Sequence, residues 1–343
     1  MSSNISLVAD GYPNWLKPHD RQLLENPLAP PNIVVAKDGS GQYKTIGEAI
    51  DAYPPGHQGR FSIYVKDGVY DEQVTIKVSC PNVLMYGDGI GKTIVTGSKS
   101  GRDLFATTTF ACAANDAYGF IGKWITFRNT AGPTGEPAPA FRSQGDESAM
   151  FECSFEGYQD TLFYQLKKHF YGNCRIYGTI DFIFGYGEAL IQNSDIIVRK
   201  PQAGHFNVIT ADGREHQQDK SGLVLQNCRI FPDNSWSPIG LNVKTYLGRP
   251  WKAFARTVVM QSYLDKFIEP EGWTVWDNTS NHKTCEVFEY SNRGPGANTE
   301  HRSKLFPNFK VLQKMEAAKF TVDSFLAGET WLPKTGIPYS PGL

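Results

Sequence analysis

Gly157-Tyr158-Gln159-Asp160-Thr161-Leu162 is followed by Gly178-Thr179-Ile180-Asp181-Phe182-Ile183-Phe184-Gly185, and the two aspartates lie 21 positions apart. Each sits among residues that otherwise read as strand. An interval near 20 between similar short β segments is the length of one solenoid coil. On that reading the two carboxylates occupy neighbouring coils and face one groove.

The same interval recurs around them. Phe151-Glu152-Cys153-Ser154-Phe155, Gly172-Asn173-Cys174-Arg175-Ile176, Gln192-Asn193-Ser194-Asp195-Ile196 and Gln226-Asn227-Cys228-Arg229-Ile230 have central residues separated by steps of 21, 20 and 34. Two steps near 20 and one long step fit coils of a parallel β-helix with a loop inserted over roughly residues 200–221. A β-sandwich is the rival architecture. It calls for tight hairpin signals every 8–12 residues, and Asn-Gly or Asp-Gly pairs are sparse here. The sequence therefore predicts an all-β, right-handed parallel β-helix with a short N-terminal helix and a C-terminal helical tail. Thr45 and Glu48 have capping-box spacing ahead of Ile46, Ala49 and Ile50, which places that helix over Thr45–Tyr53. Residues 1–32, rich in Pro and Asn, read as an arm, and residues 33–343 as a single domain.

Bulk composition excludes several function classes. Lys and Arg number 34 against 35 Asp and Glu in 343 residues, so no global field favours nucleic acid or an anionic membrane. No apolar run approaches the ~18 residues of a spanning helix, and Met1-Ser2-Ser3-Asn4 does not read as a signal peptide. The six cysteines show no C-x-x-C spacing and the seven histidines no ligand cluster, which argues against zinc. The sequons Asn4-Ile5-Ser6 and Asn278-Thr279-Ser280 are compatible with secretion. Gly87-Asp88-Gly89-Ile90-Gly91-Lys92-Thr93 ends like a P-loop, but position 86 is Tyr and the following run is β-branched, so it reads as a solenoid turn. No G-x-S-x-G elbow is present.

The remaining chemistry converges on the aspartates. Two stacked like charges cannot both ionise easily, so one carboxyl is expected to keep its proton while the other is charged. Arg249, in Tyr246-Leu247-Gly248-Arg249-Pro250-Trp251, has the fork geometry to pair with a carboxylate. Tyr158, Phe182, Trp251, Trp273 and Trp276 are candidates to line a sugar-binding cleft, the last two reading equally as core.

Taken with Asp38-Gly39-Ser40-Gly41, Gly68-Val69-Tyr70-Asp71-Glu72, Gly294-Pro295-Gly296-Ala297 and Trp331-Leu332-Pro333, these motifs make the chain resemble the plant pectin methylesterases (pectinesterases) from about residue 33 onward. The resemblance implies hydrolysis of methyl esters in homogalacturonan. It implies Asp181 as nucleophile, Asp160 as acid and then base, Arg249 as the group positioning Asp181, and Gln159 as oxyanion donor. The candidate substrate-binding set is Tyr158, Phe182, Trp251, Trp273 and Thr107. No metal or organic cofactor is implied. The implied partners are methyl-esterified pectin and a proteinaceous inhibitor, in a secreted, cell-wall monomer. Arg21-Gln22-Leu23-Leu24 resembles a processing motif whose second basic residue is here Gln22, and an upstream signal and pro-region are expected.

Two departures from the family pattern stand out. Pro137-Ala138-Pro139-Ala140-Phe141-Arg142 replaces Gln-Ala-Val-Ala-Leu-Arg, so an oxyanion glutamine falls on Pro137, which has neither amide side chain nor N–H. Reduced turnover in a pectin-binding wall protein is therefore the alternative reading. Ser194 stands where a cysteine is common, while Cys153 and Cys174 fall in adjacent coils at a spacing compatible with a disulfide. A polysaccharide lyase or polygalacturonase is disfavoured, because neither a lyase's pattern of calcium ligands with a basic catalytic residue nor a hydrolase's denser acid cluster stands out.

Overall fold

A computed structural model describes residues 30–112, 118–234, 236 and 242–343. The arm, with Arg21-Gln22-Leu23-Leu24 and the Asn4 sequon, lies outside the described residues. Among those described, strands assemble into three parallel sheets of eleven, seven and eight strands. Consecutive strands of the chain go to different sheets, so each coil contributes one strand to each face of a right-handed parallel β-helix.

The register reproduces the intervals read from sequence. Ser148 pairs with His169, Lys168 with Glu188, and Glu188 with Gly222 along the eleven-stranded sheet. The long step is not a simple insertion, however. Within residues 200–221 the segment Asn207–Asp212 forms a fully buried strand of the seven-stranded sheet, because Val208, Thr210 and the residues between them continue the ladder. Only the flanking stretches are loop.

In-register stacking fixes the core. Like side chains on adjacent coils lie one strand spacing apart, so Phe110 stacks over Phe141 and Phe127 over Phe155, each pair with centroids 5.7 Å apart. The short helix Ile46–Asp51 carries the expected capping box at Thr45 and Glu48, and buries Ile46, Ala49 and Ile50 against the first coils. At the other end, the tail helices Lys314–Ala317, Val322–Leu326 and Gly328–Trp331 cover the outer face of the eleven-stranded sheet. There Val322, Leu326, Trp331 and Leu332 join Phe151, Phe170, Leu190 and Val224 in one apolar cluster. The Gly87–Thr93 segment is a turn leading into the strand Thr93–Gly97.

The corner after the eleven-stranded sheet explains the Cys/Ser pattern. Glu152, Asn173, Asn193 and Asn227 take left-handed backbone (φ 50°, 53°, 54° and 52°) and throw the next residue inward. That residue is Cys153, Cys174, Ser194 or Cys228, all buried. The six cysteines are free thiols, Cys153 and Cys174 included. Ser194 takes over a different role: its hydroxyl accepts the Cys174 N–H at 2.9 Å and donates to the Gln192 carbonyl at 2.9 Å.

Candidate active site

Asp160 and Asp181 open adjacent strands of the seven-stranded sheet. Leu162 pairs with Ile183, which puts the two aspartates at equivalent places one coil apart. The Asp160 N–H donates to the Ile180 carbonyl at 3.1 Å. Both residues have left-handed backbone, φ 61° and 51°, a conformation Asp tolerates better than most residues. Asp181 also lies in a bulge: Ile180 pairs with Val208 and Ile183 with Thr210, so Asp181 and Phe182 oppose Ile209 alone. Bulges of this kind re-aim a side chain.

Arg249 reaches Asp181 from two coils further along, its own N–H bonded to the Thr210 carbonyl at 3.0 Å. Its Nε donates to Asp181 Oδ1 at 2.8 Å and its Nη2 to Oδ2 at 2.5 Å. The guanidinium carbon sits 4.2 Å from the centroid of the Trp276 ring. This bidentate, aromatic-backed pair fixes both the position and the charge of Asp181.

The electrostatics separate the two carboxyls. Burial raises the affinity of both for protons. For Asp160 the charge of Asp181 adds to that rise, with Arg249 opposing. For Asp181 the hydrogen bonds and charge of Arg249 oppose burial directly. Among the described residues no side chain hydrogen-bonds the Asp160 carboxyl. Asp160 is therefore the member that keeps the proton, and Asp181 the one that carries the charge.

Gln159 and Tyr158 are half-buried beside the pair. The Gln159 carbonyl accepts the Ala138 N–H at 3.3 Å, which sets Gln159 next to Pro137. Pro137 contributes only a carbonyl, taken by the Gly101 N–H at 2.9 Å. The Tyr158 ring is backed by the guanidinium of Arg199 at 5.0 Å.

Three expected substrate contacts are placed differently. Phe182 is wholly buried in the solenoid interior, because the bulge breaks strand parity: Phe182 and Ile183 both turn inward and Phe184 turns out. Trp273 is also interior, its Nε1–H donating to Glu289 at 3.3 Å. Thr107 is buried and its hydroxyl donates to the Asp103 carbonyl at 3.0 Å. The helix carrying it, Leu104–Thr107, offers Leu104 to the groove instead. Trp251 does lie on the outer face, with Trp276 6.4 Å away.

The groove floor is an aromatic row of which the sequence indicated Trp251 and Trp276 but not Phe163, Phe184 and Tyr186. Phe163 stacks on Phe184 at 4.4 Å, and Tyr186 and Phe184 lie 4.6 and 5.9 Å from Trp251. Equal register in the 21-residue interval (Phe163, Phe184) was the available signal. Asp212, one coil beyond Gly185, was missed as well. It is completely buried, and burial lifts its pKa to about 6. It accepts the Tyr164 hydroxyl at 3.0 Å and the N–H groups of Arg214 and Arg256 at 3.1 and 2.7 Å, which makes it an anchor for two loops. Among the described residues, no cluster of three or more His, Cys, Asp or Glu is arranged to hold a metal, and no helix is long and apolar enough to cross a membrane.

Comparison with known proteins places this geometry. The family model described as Pectinesterase matches residues 32–329. The chain is 48% identical over 338 residues to "Probable pectinesterase/pectinesterase inhibitor 17" of Arabidopsis thaliana, covering 97% of this chain and 64% of that protein. It is 44% identical to "Pectinesterase 2" of Citrus sinensis, covering 97% of this chain and 65% of that one. The chain thus spans just under two thirds of the length of these relatives. Among solved structures it superposes on "Pectin methylesterase from Carrot" with a TM-score of 0.89 and 41% identity, over 93% of this chain and 100% of that one.

Proposed function

Because the chain belongs to the pectinesterase family, we propose that it hydrolyses the methyl esters of homogalacturonan, releasing methanol and leaving free galacturonate. The observation that carries this reading is the Arg249 fork on Asp181 beside a buried Asp160 whose proton affinity is raised by burial and by the charge of Asp181. A charged oxygen of Asp181 attacks the ester carbonyl, and negative charge develops on the carbonyl oxygen. The Gln159 amide is the donor available to it. As the tetrahedral intermediate collapses, the C–O bond to methoxide breaks and Asp160 gives its proton to the leaving oxygen, forming methanol. The acyl group is then held on Asp181 as an anhydride. Asp160, now a carboxylate, takes a proton from water, the hydroxide adds to the acyl carbon, and Asp181 leaves as a carboxylate again. Asp160 ends reprotonated and the product is the uronic acid.

Tyr186, Trp251 and Trp276, the partly buried aromatics packed over Phe163 and Phe184, supply planes against which sugar C–H faces lie. The partners that fit are methyl-esterified pectin and a protein inhibitor of the kind in the Arabidopsis relative's name, with the cell wall as the place of action. The test is methanol appearing one for one with titratable carboxyl groups on highly methylated pectin, without shortening of the chains. Absence of methanol between pH 4 and 9 would sink it.

Pro137 favours a second reading on its own evidence. With one oxyanion donor missing, the protein binds pectin but turns it over slowly. Tight binding with little methanol would select this reading over the first.

A further inference from the structure

The aromatic row does not end at Phe163. Arg142 pairs in register with Phe163, which pairs with Phe184, so the same line on the groove floor ends in a guanidinium. Arg142 is only 4% exposed. Its Nη1 donates to Gln144 Oε1 at 2.9 Å and Gln165 Oε1 at 3.1 Å, while its buried Nε has no hydrogen-bond partner among the described residues. The ring of Phe105, itself 59% exposed, covers the cation at 4.2 Å.

The other two arginines buried among the described residues are neutralised. Arg214 pairs with Glu286 and Arg302 with Glu289, each at 2.7 Å, and the half-buried Arg249 pairs with Asp181. Arg142 has no carboxylate at ion-pair distance among the described residues. Asp103, the carboxylate whose charge acts on it, is occupied in capping the N–H groups of Phe105 and Ala106 at 3.0 and 3.2 Å. A buried cation without a counter-ion is costly, and here it lies in register with the aromatic row.

Building on the function proposed above, we propose that Arg142 is a specificity residue whose counter-ion is a free carboxylate of the bound polymer. A galacturonan chain laid along Phe184 and Phe163 brings a neighbouring uronate to Arg142. A methyl ester there offers no charge, whereas a carboxylate supplies the missing counter-charge. Esters flanked by already de-esterified sugars are therefore favoured, and each turnover creates the group that Arg142 binds.

The experiment is calorimetric binding of two oligogalacturonates of equal length, one fully de-esterified and one fully methyl-esterified. The unmodified protein, Arg142→Gln, Arg142→Lys and Phe105→Ala are compared. Arg142→Gln is expected to weaken the acidic oligomer about 10-fold or more and the esterified one by less than about 2-fold, with partial recovery in Arg142→Lys. Phe105→Ala, an exposed position, is expected to shift acidic-oligomer binding alone by about 2- to 5-fold. Unchanged affinity in Arg142→Gln, or equal weakening of both oligomers, overturns the proposal. If Arg142→Gln does not fold, Phe105→Ala decides in its place: a change confined to the acidic oligomer supports the proposal, and no change or an equal change in both overturns it. Because binding needs no turnover, a protein that releases no methanol would overturn the esterase reading while leaving this comparison decisive.

Discussion

Two corners of the same coil use the same backbone conformation for opposite purposes. Where the chain leaves the eleven-stranded sheet, seven successive coils bend through a left-handed residue: Trp124, Glu152, Asn173, Asn193, Asn227, Gln261 and Ser291. Where it enters the seven-stranded sheet, Asp160 and Asp181 bend in the same way. At the first corner polar tips stack and satisfy one another, as when the Asn227 amide donates to Asn193 Oδ1 at 2.8 Å. At the second, the tips are two buried carboxyls that cannot both be charged, and the Arg249 fork favours ionisation of Asp181. A conformation that is structural punctuation at one corner is a device for aiming carboxylates at the other.

The largest expected effect tests whether the second corner is about charge or shape. Asp181→Asn keeps the size of the side chain and a residue type tolerant of positive φ, so the bend survives. Methanol release should nonetheless fall by on the order of 10⁴ or more. Arg249 then faces a neutral amide, at a cost of about 3 kcal/mol in stability, measurable by thermal unfolding. Substantial activity in this variant would mean that Asp181 shapes the groove without being the attacking group.

Asp160→Asn separates function from stability. Turnover should drop by about 10²- to 10⁴-fold, yet the variant should be the more stable protein near neutrality. The sign follows from the raised proton affinity of Asp160. Below the ordinary unfolded carboxyl pKa of about 3.9 the group is protonated in both states and folding is not penalised. As pH rises from there through the folded value, the unfolded chain ionises first and stability is progressively lost. The gap in Tm between variant and parent should therefore widen with pH, and a gap constant from pH 4 to 8 would contradict the assignment. Turnover by the parent should fall on the alkaline side as Asp160 loses its proton, and on the acid side as Asp181 gains one.

Pro137→Gln probes the missing donor next to that corner. If the site is limited there, the rate should rise by about 10- to 100-fold with little change in pectin affinity. An unchanged rate would show that Gln159 alone suffices.

How far each corner is legible in sequence follows from its physics. The structural corner repeats, so its Glu-Cys, Asn-Cys and Asn-Ser pairs at steps of 21, 20 and 34 announce the coil and the architecture. The aspartates are legible because they too obey the interval. Groove lining is misread where one local event, the bulge at Asp181 and Phe182, reverses strand parity. Phe182 then counts toward the cleft, while Phe184, two residues on, holds that place. Trp273 is misassigned because an indole serves core and cleft equally well, and only its bond to Glu289 decides. Arg142 and Asp212 are silent because a buried charge is defined by what surrounds it, and those neighbours come from other coils.

The smallest expected effect belongs to the first corner and checks the comparison from the other side. Asn193→Ala keeps a β-carbon in left-handed backbone (φ 54° at Asn193) without the short polar side chain that makes Asn tolerant of it, and removes the acceptor of the Asn227 amide, a loss of about 1–2 kcal/mol. Asn193→Gly gives up the same hydrogen bond but relieves the backbone, so it should be the milder of the two. Neither change touches the groove, so methanol release per folded molecule should stay at the parental value in both. The ranking distinguishes the origin of the corner's stability. Alanine worse than glycine identifies backbone conformation as the main term, whereas equal losses identify the stacked amides. A fall in turnover from either substitution would join the two corners, showing that strain at the structural bend is transmitted along the coil to the aspartates.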